Sequence, residues 1–164
     1  MAAVDYFLKI DGIDGESTDD KHKNEIQVES WSFGEQQTGT GGYGGGHGAG
    51  KVQMNDFHFT MKVNQASPKL FLACATGEHI KKAVLTCRKA GKEQQEYLLW
   101  TFSDLLISSY QTGGTGGSDV IPMDQIAFNF AKVEVQYKMQ KPDGTLGGAI
   151  KTGYDLKTQK AATA

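Results

Sequence analysis

The sequence predicts a mainly β protein: a closed or nearly closed antiparallel β-barrel with one short α-helix on its flank. Three observations carry this prediction. Apolar and polar residues alternate with a period of two over much of the chain, glycine-rich turns separate the alternating stretches, and one apolar stretch is bounded by helix signals. Strands at such regular spacing favour a barrel or a sandwich, and a barrel is the form we expect.

The strands are predicted from the alternation itself. The first stretch begins near the N-terminus, where four apolar residues lie two positions apart: Val4, Tyr6, Leu8 and Ile10. The same alternation returns at about 25–34, 51–63, 80–90, 95–102, 105–112 and 124–139, with a last stretch at about 150–156. Turn-forming residues at 90–92 and 142–144 separate some of these strands.

The helix is predicted at about 68–76. Ser67 can cap its N-terminus, and Pro68 suits the first helical position. The apolar stretch LFLACA follows, and Gly77 can adopt the left-handed conformation that commonly ends a helix. A helix this short can cover an open end or a flank of a barrel.

In three predicted strands the apolar series advances once by three positions instead of two, near Ser30, Asp56 and Lys132. A β-bulge at each place would reset the alternation while all apolar side chains still face one core. Alternatively, these strands bury one face at one end and the opposite face at the other, so that some apolar residues cover a neighbouring subunit. The sequence leaves both interpretations open.

Composition sets the class of protein. The chain has 164 residues, 38% of them hydrophobic and 22% charged, which predicts one domain over residues 1–164 with a core of its own. Seventeen Lys and Arg against nineteen Asp and Glu leave a formal charge of −2, so the chain lacks the basic surplus that nucleic-acid binding requires. We expect no nucleic-acid partner.

The sequence also argues against membrane insertion. The longest apolar run, 70–75, is far shorter than the roughly 20 residues of a membrane-spanning helix. The start, MAAVDYFLKIDG, places Asp5 early and is unlike a cleavable secretory leader. Cys74 and Cys87 fit neither a disulfide framework nor a metal-ligand spacing, so we interpret both as structural.

The segment GTGGYGGGHGAGKV, from Gly39 to Val52, has the highest glycine density in the chain. Gly45, Gly50 and Lys51 match the phosphate-loop pattern G-x-x-x-x-G-K, but Val52 stands where Ser or Thr would bind magnesium. A strand pattern follows instead of the helix that such a loop needs. We therefore interpret the extended loop at about 35–51 as an arm that docks between subunits.

No catalytic or metal site is predicted. The loop TGGTGG, from Thr112 to Gly117, is similar to a calcium-binding repeat, but Asp119 lies one residue late and no second copy follows. The acidic stretch 11–20 lacks the spacing of a helix-loop-helix calcium site. The histidines share no ligand spacing, and no Ser or Cys stands in a nucleophile motif. We expect no enzyme activity, no cofactor and no metal; the histidines are His22, His47, His58 and His79.

Motifs along nearly the whole chain resemble those of the haemolysin-coregulated protein (Hcp) family, the tube proteins of the bacterial type VI secretion system. In family order they are VDYFLKIDGIDGES, WSFG, the glycine arm ending GAGKV, ASPKL, LTCRKAG, EYL, TGGTGG, IAFNFAKVEVQY and GYDL. Each motif is weak by itself, and the ordered series is what makes the resemblance specific.

The resemblance implies a flanked β-barrel of which six copies close into a ring. Rings stack into a tube inside a contractile sheath, a VgrG-type spike protein caps the tube, and effector proteins travel with it out of the cytoplasm where it assembles. It also implies that the arm projects from the ring and contributes to stacking through Gly39, Gly41, Gly42, Tyr43, Gly44, Gly45, Gly46, His47, Gly48, Gly50 and Lys51.

Two further expectations complete the prediction. Small polar residues offer cargo a wet, adaptable surface, so we expect the second glycine loop to face the channel with Gly113, Gly114, Thr115, Gly116 and Gly117. The tail at about 158–164 is small and polar, and we expect it to fray. The alternative from another class is a monomeric barrel that holds a small ligand.

Overall fold

The structure is a computed structural model that describes residues 4–37, 39, 50–89, 94–117 and 120–162. These residues form eleven strands and one helix. The helix α1 is Ala66–Thr76, and the strands are β1 (Val4–Ile10), β2 (Ile26–Val28), β3 (Ser30–Ser32), β4 (Glu35–Gln37), β5 (Val52–Met54), β6 (Phe57–Lys62), β7 (His79–Lys89), β8 (Gln95–Gly113), β9 (Met123–Gln140), β10 (Leu146–Asp155) and β11 (Lys160–Ala161).

The strands form a nearly closed antiparallel barrel, as predicted. Strand β9 pairs with β8 and β6, β8 pairs with β7, and β7 pairs with β1. Strand β1 pairs with β2, and β3, which follows β2 directly, pairs with β6. The circuit is completed where Glu29, between β2 and β3, donates its backbone N–H to the carbonyl of Thr60 at 2.9 Å. Strands β10 and β11 extend this sheet beyond β9.

Aromatic side chains fill the barrel. Phe57, Phe59, Phe102 and Phe128 are fully buried. The ring of Phe57 lies 4.9 Å from that of Phe102 and 5.0 Å from that of Phe128, centroid to centroid, in tilted arrangements that aromatic pairs favour. Because these side chains come from β6, β8 and β9, their burial holds the three strands together.

The helix begins two residues before the predicted start and ends as predicted. Gly77 follows it with φ +67°, the left-handed conformation that suits glycine. Ser67 is not the cap: Gln65 occupies that position and makes no side-chain capping hydrogen bond. The hydroxyl of Ser67 instead donates to Asp124 Oδ2 at 2.6 Å and so ties the helix to β9.

The bulge interpretation is wrong at all three positions. Near Ser30 and Asp56 the chain breaks the strand and changes its pairing partner. At Lys132 the pairing of β8 with β9 keeps one register on both sides, and the residue of β8 at this level, Asp104, has φ +56°. That left-handed residue changes which face of the strand points to the core. Strand β8 continues through Asp104 without a break, whereas the alternation predicts two strands.

The tail differs from the prediction as well. Residues 160–161 form β11, which pairs with Tyr154 and Asp155 of β10. The backbone N–H of Ala162 donates to the carbonyl of Gly153 at 3.0 Å. A Cβ atom at Gly153 would overlap the carbonyl oxygen of Ala162 and lie 2.8 Å from that of Val133, so glycine is what allows this close approach.

Candidate assembly surfaces

The glycine arm connects the two strands of a small hairpin outside the barrel. Strands β4 and β5 pair from Glu35 with Met54 to Gln37 with Val52, and they form a separate two-stranded sheet. Residues 35–37 of the predicted loop are therefore a strand. Of the predicted stacking residues, Gly39, Gly50 and Lys51 are described; Gly41, Gly42, Tyr43, Gly44, Gly45, Gly46, His47 and Gly48 lie outside the described residues.

Apolar side chains are exposed at the end of the barrel where β8 passes to β9. Phe71 and Leu72, on the outer side of α1, are 59% and 57% exposed. The edge of the Phe71 ring contacts Tyr110 of β8, with centroids 5.9 Å apart, which places the helix against this end. We call the following exposed residues the near-end patch: Val63, Phe71, Leu72, Val120 and Ile121.

A second exposed apolar surface lies at the opposite end of the same strands. Ile150 of β10 is 73% exposed and pairs with Tyr137 of β9, which in turn pairs with Leu98 of β8. Cross-strand partners point to the same face of a sheet, so these side chains form one row. Tyr137, Met139 and Ile150 form what we call the far-end patch.

The two patches are separated by most of the length of β8. Leu98 stands beside the far-end patch and Tyr110 beside the near-end patch. Twelve residues of extended chain at about 3.3 Å each separate them by about 40 Å. One molecule therefore carries two different apolar surfaces at opposite ends.

The second glycine loop is exposed throughout its described part. Gly113 is the last residue of β8, and residues 113–117 are all exposed. A shallow groove of about 340 Å³ lies on the outer face of the barrel next to this end, and its polar lining consists of hydroxyl, amide and imidazole groups without Asp, Glu, Lys or Arg. Side chains of β3, β6, β8 and β9 line it, among them Ser30, Ser32, His58, Thr60, Ser109, Gln111 and Gln125.

Sequence reasoning missed this groove because its residues come from four strands far apart in the chain. They are brought level by register: Ser30 pairs with Thr60, Thr60 with Gln125, and Gln125 with Gln111. The hydroxyls of Ser30 and Thr60 lie 2.6 Å apart. The polar positions of alternating strands were the available signal, since they mark the face that points away from the core.

A third surface feature is an apolar cavity of about 440 Å³ between the β4–β5 hairpin and the sheet. Phe33, Met54, Trp100 and Val135 contribute to its wall. The Trp100 ring packs edge-on against Phe33, with centroids 5.3 Å apart. The cavity lies on the same face of the sheet as the far-end patch. Trp100 pairs with Val135, and this pair is two residues along β8 and β9 from the pair of Leu98 and Tyr137.

A buried ion-pair network braces the far end. Arg88 of β7, with a side chain 3% exposed, donates from both terminal nitrogens to the carboxylate of Asp19, at 3.0 and 2.7 Å, and to Asp5 at 3.3 Å. The hydrogen bonds from Arg88 lower the pKa of Asp19 to about 2, against the opposing effect of burial. Asp19 is thus held as a carboxylate that ties the loop at 11–25 to β7.

The described residues contain neither a cluster of three His, Cys, Asp or Glu placed to hold a metal ion nor a helix long and apolar enough to cross a membrane. Cys87 lies in the core, where burial raises the pKa of its thiol to about 12. Lys51 leads into strand β5 instead of a helix, which agrees with the rejection of a phosphate loop.

Comparison with known proteins gives consistent matches over nearly the whole chain. A family model described as "Type VI secretion system effector, Hcp" matches residues 7–137. The chain is 46% identical over 157 residues to Protein hcp1 of Pseudomonas aeruginosa, covering 94% of this chain and 96% of that protein.

Solved structures agree with these sequence matches. The fold is similar to a structure titled as a type six secretion system protein, with a TM-score of 0.91 and 34% identity over 98% of this chain and 100% of that one. Hcp1 from Salmonella typhimurium gives a TM-score of 0.81 and 38% identity at the same coverage.

Proposed function

The chain belongs to the Hcp family, the tube proteins of the type VI secretion system, and we propose that six copies close into a ring and that such rings stack into the tube. The observation that carries the ring is the pair of different apolar patches at opposite ends of the β8–β9 hairpin. A contact between unlike patches repeats from one copy to the next, and it closes into a ring where the rotation allows. The number six comes from the family resemblance.

The chemistry of the two patches supports association in water. Exposed apolar residues grouped at one place favour contact with another protein, because contact removes their surface from water. In the proposed ring the near-end patch of one copy lies against the far-end patch of the next. For Tyr137 and Met139 we adopt the second interpretation that the sequence leaves open, in which part of each apolar series covers a neighbouring subunit.

We propose that the polar groove and the glycine loop at 113–117 form part of the channel surface. Gln111 lines the groove, and Gly113 ends the same strand two residues later, so the two surfaces are continuous along β8. Hydroxyl and amide groups hydrogen-bond to many partners without demanding a charge, which suits effector proteins of different sequence. With this assignment we propose a role in transport.

The arm is proposed to join one ring to the next. The arm connects β4 to β5, which pair with no other strand among the described residues, so a contact made through the arm need not alter the pairing of the barrel strands. The family resemblance adds a VgrG-type spike at the end of the tube and a contractile sheath around it. The tube would assemble in the cytoplasm and leave the cell as a body when the sheath contracts.

Light scattering on the purified chain tests the ring. We expect a particle of six chains, and we expect Ile150→Asp or Leu72→Asp to reduce it to single chains by placing a charge in one of the two patches. Gln140→Glu is the matched control, since it adds one negative charge at the far end outside the patch. A single-chain mass for the unaltered protein at high concentration would contradict the proposal.

Deletion of residues 39–48 tests the arm separately. We expect rings of unchanged mass, a barrel of unchanged circular dichroism, and fewer or shorter stacks in electron microscopy and sedimentation. Filaments as abundant as those of the full chain would show that stacking does not use the arm. Charge substitution at Thr115 tests the channel assignment, because it should reduce retention of a co-expressed effector without changing the ring.

The apolar cavity under the β4–β5 hairpin favours the second candidate function, a small-ligand carrier, because about 440 Å³ lies within the usual range for ligand pockets. That function requires a single-chain particle whose melting temperature rises with an apolar dye. The match to the Hcp family over residues 7–137 supports the tube subunit over the carrier.

A further inference from the structure

We propose that His22 is a proton-dependent clasp that fastens the loop at 11–25 to β8 and loosens as the pH rises. The proposal goes beyond the tube function, and its tests read the fold of the chain whether or not rings form. It rests on the position of one buried imidazole between two carboxylates that belong to different parts of the chain.

The His22 ring is enclosed by three elements. Its side chain is 8% exposed and stacks on Phe7 of β1, with centroids 4.5 Å apart and planes 7° from parallel. Nδ1 lies 2.7 Å from Glu25 Oε2 in the same loop. Nε2 lies 2.7 Å from Glu96 Oε1 on β8, 74 positions further along the chain.

These two contacts require one proton more than a neutral imidazole carries. A neutral ring has one N–H, and an ionised carboxylate can accept hydrogen bonds but cannot donate them. Two nitrogen-to-carboxylate contacts at 2.7 Å therefore need a second N–H on the ring, or a proton on one carboxyl group. Imidazole is the more basic group, so the imidazolium form satisfies both contacts.

The surroundings favour a positive charge at this place. Besides Glu25 and Glu96, the charged groups of the described residues that form ion pairs beside the cluster are Arg88, Asp19 and Asp5. The Arg88 guanidinium lies 4.7 Å from the centre of the same Phe7 ring, but it is already paired with two carboxylates. Four carboxylates against one guanidinium leave the cluster negative, and a proton on His22 reduces that excess.

Loss of the proton breaks one side of the clasp. A neutral ring would then present a lone pair to either Glu25 or Glu96, and that contact would become repulsive. Stability that depends on a bound proton falls as the pH rises, because the native state then holds a proton that the unfolded state has released. Glu96 stands two residues from Leu98, which pairs with Tyr137, so the clasp braces β8, the strand that pairs with the far-end patch residues of β9.

The first test is nitrogen-15 NMR of the histidine rings in the full chain, assigned by omission of the His22 signals in a His22→Gln variant. At about pH 6.5, where an ordinary histidine is half protonated, we expect both His22 nitrogens to show the imidazolium signature. A neutral single-tautomer signature for His22 would overturn the proposal.

The second test compares melting temperatures between about pH 5.5 and pH 8, the range in which histidine changes charge. Glu96→Gln keeps a hydrogen-bonding partner at Nε2 but removes the need for the extra proton, because the amide can donate to a neutral ring. We expect the unaltered chain to lose about 2–4 °C more than this variant over that range.

His79→Gln is the matched control. His79 also faces a carboxylate, Asp104 at 3.3 Å, but its side chain is 64% exposed. We expect this variant to follow the unaltered chain. Equal pH dependence in the unaltered chain and in Glu96→Gln would overturn the proposal, and if Glu96→Gln fails to fold, the NMR signature decides. Neither measurement depends on assembly, so failure of the ring proposal leaves both results interpretable.

Discussion

Strands β8 and β9 pair antiparallel in both halves of their hairpin, yet the two halves differ in what their side chains contact. Beside β6, Ile107 and Phe128 are buried in the aromatic core. Beside β10, Tyr137 and Met139 project into solvent from the same strand, 45% and 62% exposed. Backbone pairing is shared by both halves, so the difference lies in the side chains: one half supplies stability, and the other leaves apolar surface for a second molecule.

The largest expected effect comes from the core half. Phe57→Ala removes a fully buried ring that contacts Phe102 and Phe128, so we expect the free energy of unfolding to fall by about 3–5 kcal/mol in urea titrations. Phe71→Ala is the matched control, because Phe71 is 59% exposed and its loss should cost about 1 kcal/mol or less. Equal losses for the two variants would remove the contrast between buried and exposed aromatic residues.

The next effect concerns the ion-pair network. Arg88→Met keeps the length of the buried side chain but leaves Asp19 and Asp5 without their cation, and we expect a loss of about 3 kcal/mol. Lys62→Met is the control, since Lys62 lies 3.8 Å from Glu29 in an exposed pair whose loss should be within about 1 kcal/mol. If both variants unfold at the same urea concentration, the network does not stabilise the chain.

Acid should reveal the same network through Asp19. Its pKa is lowered from an ordinary value near 3.8 to about 2, so the stability it contributes is complete above about pH 5 and is lost progressively as the pH falls from there to about 2. We expect Asp19→Asn to be less stable than the unaltered chain by about 2 kcal/mol at pH 5 and equal to it at the lowest pH. Asp20→Asn is the control, because Asp20 is the exposed neighbour of Asp19, and this variant should match the stability of the unaltered chain at both pH values.

The smallest effect on stability is expected in the far half. Ile150→Ser changes a residue that is 73% exposed, and we expect the free energy of unfolding of the single chain to stay within about 0.5 kcal/mol of its original value. The same variant should weaken association of chains, read as a shift to lower mass on dilution. A marked loss of stability without loss of association would mean that Ile150 packs within its own chain.

The barrel and its helix could be predicted because alternation and helix signals act locally. Leu8, Ile26, Phe59 and Phe128 are buried, as their places in alternating stretches require. The apolar helix stretch LFLACA is only partly buried, because a helix on a flank covers the core with one side: Leu70 and Ala73 are buried, and Phe71 is exposed.

What the sequence could not supply depends on distance along the chain. His22 and Glu25 are three residues apart, but Glu96 meets them only after β7 and β8 have formed. The alternation predicts two strands where β8 is continuous, because Asp104 interrupts the alternation in the way a turn does. In a sequence, a single left-handed residue inside a paired strand interrupts the apolar–polar alternation just as the end of a strand does.

The close approach at Gly153 has a consequence for the last strand. The ladder between β10 and β11 is two residue pairs long. It lies beside Gly153, where the carbonyl oxygens of Ala162 and Val133 leave no room for a Cβ atom. Any larger residue at position 153 would separate the C-terminal residues from the sheet and expose the edge of β10 to strands of other molecules. Glycine at position 153 therefore helps to keep the edge of β10 covered by β11.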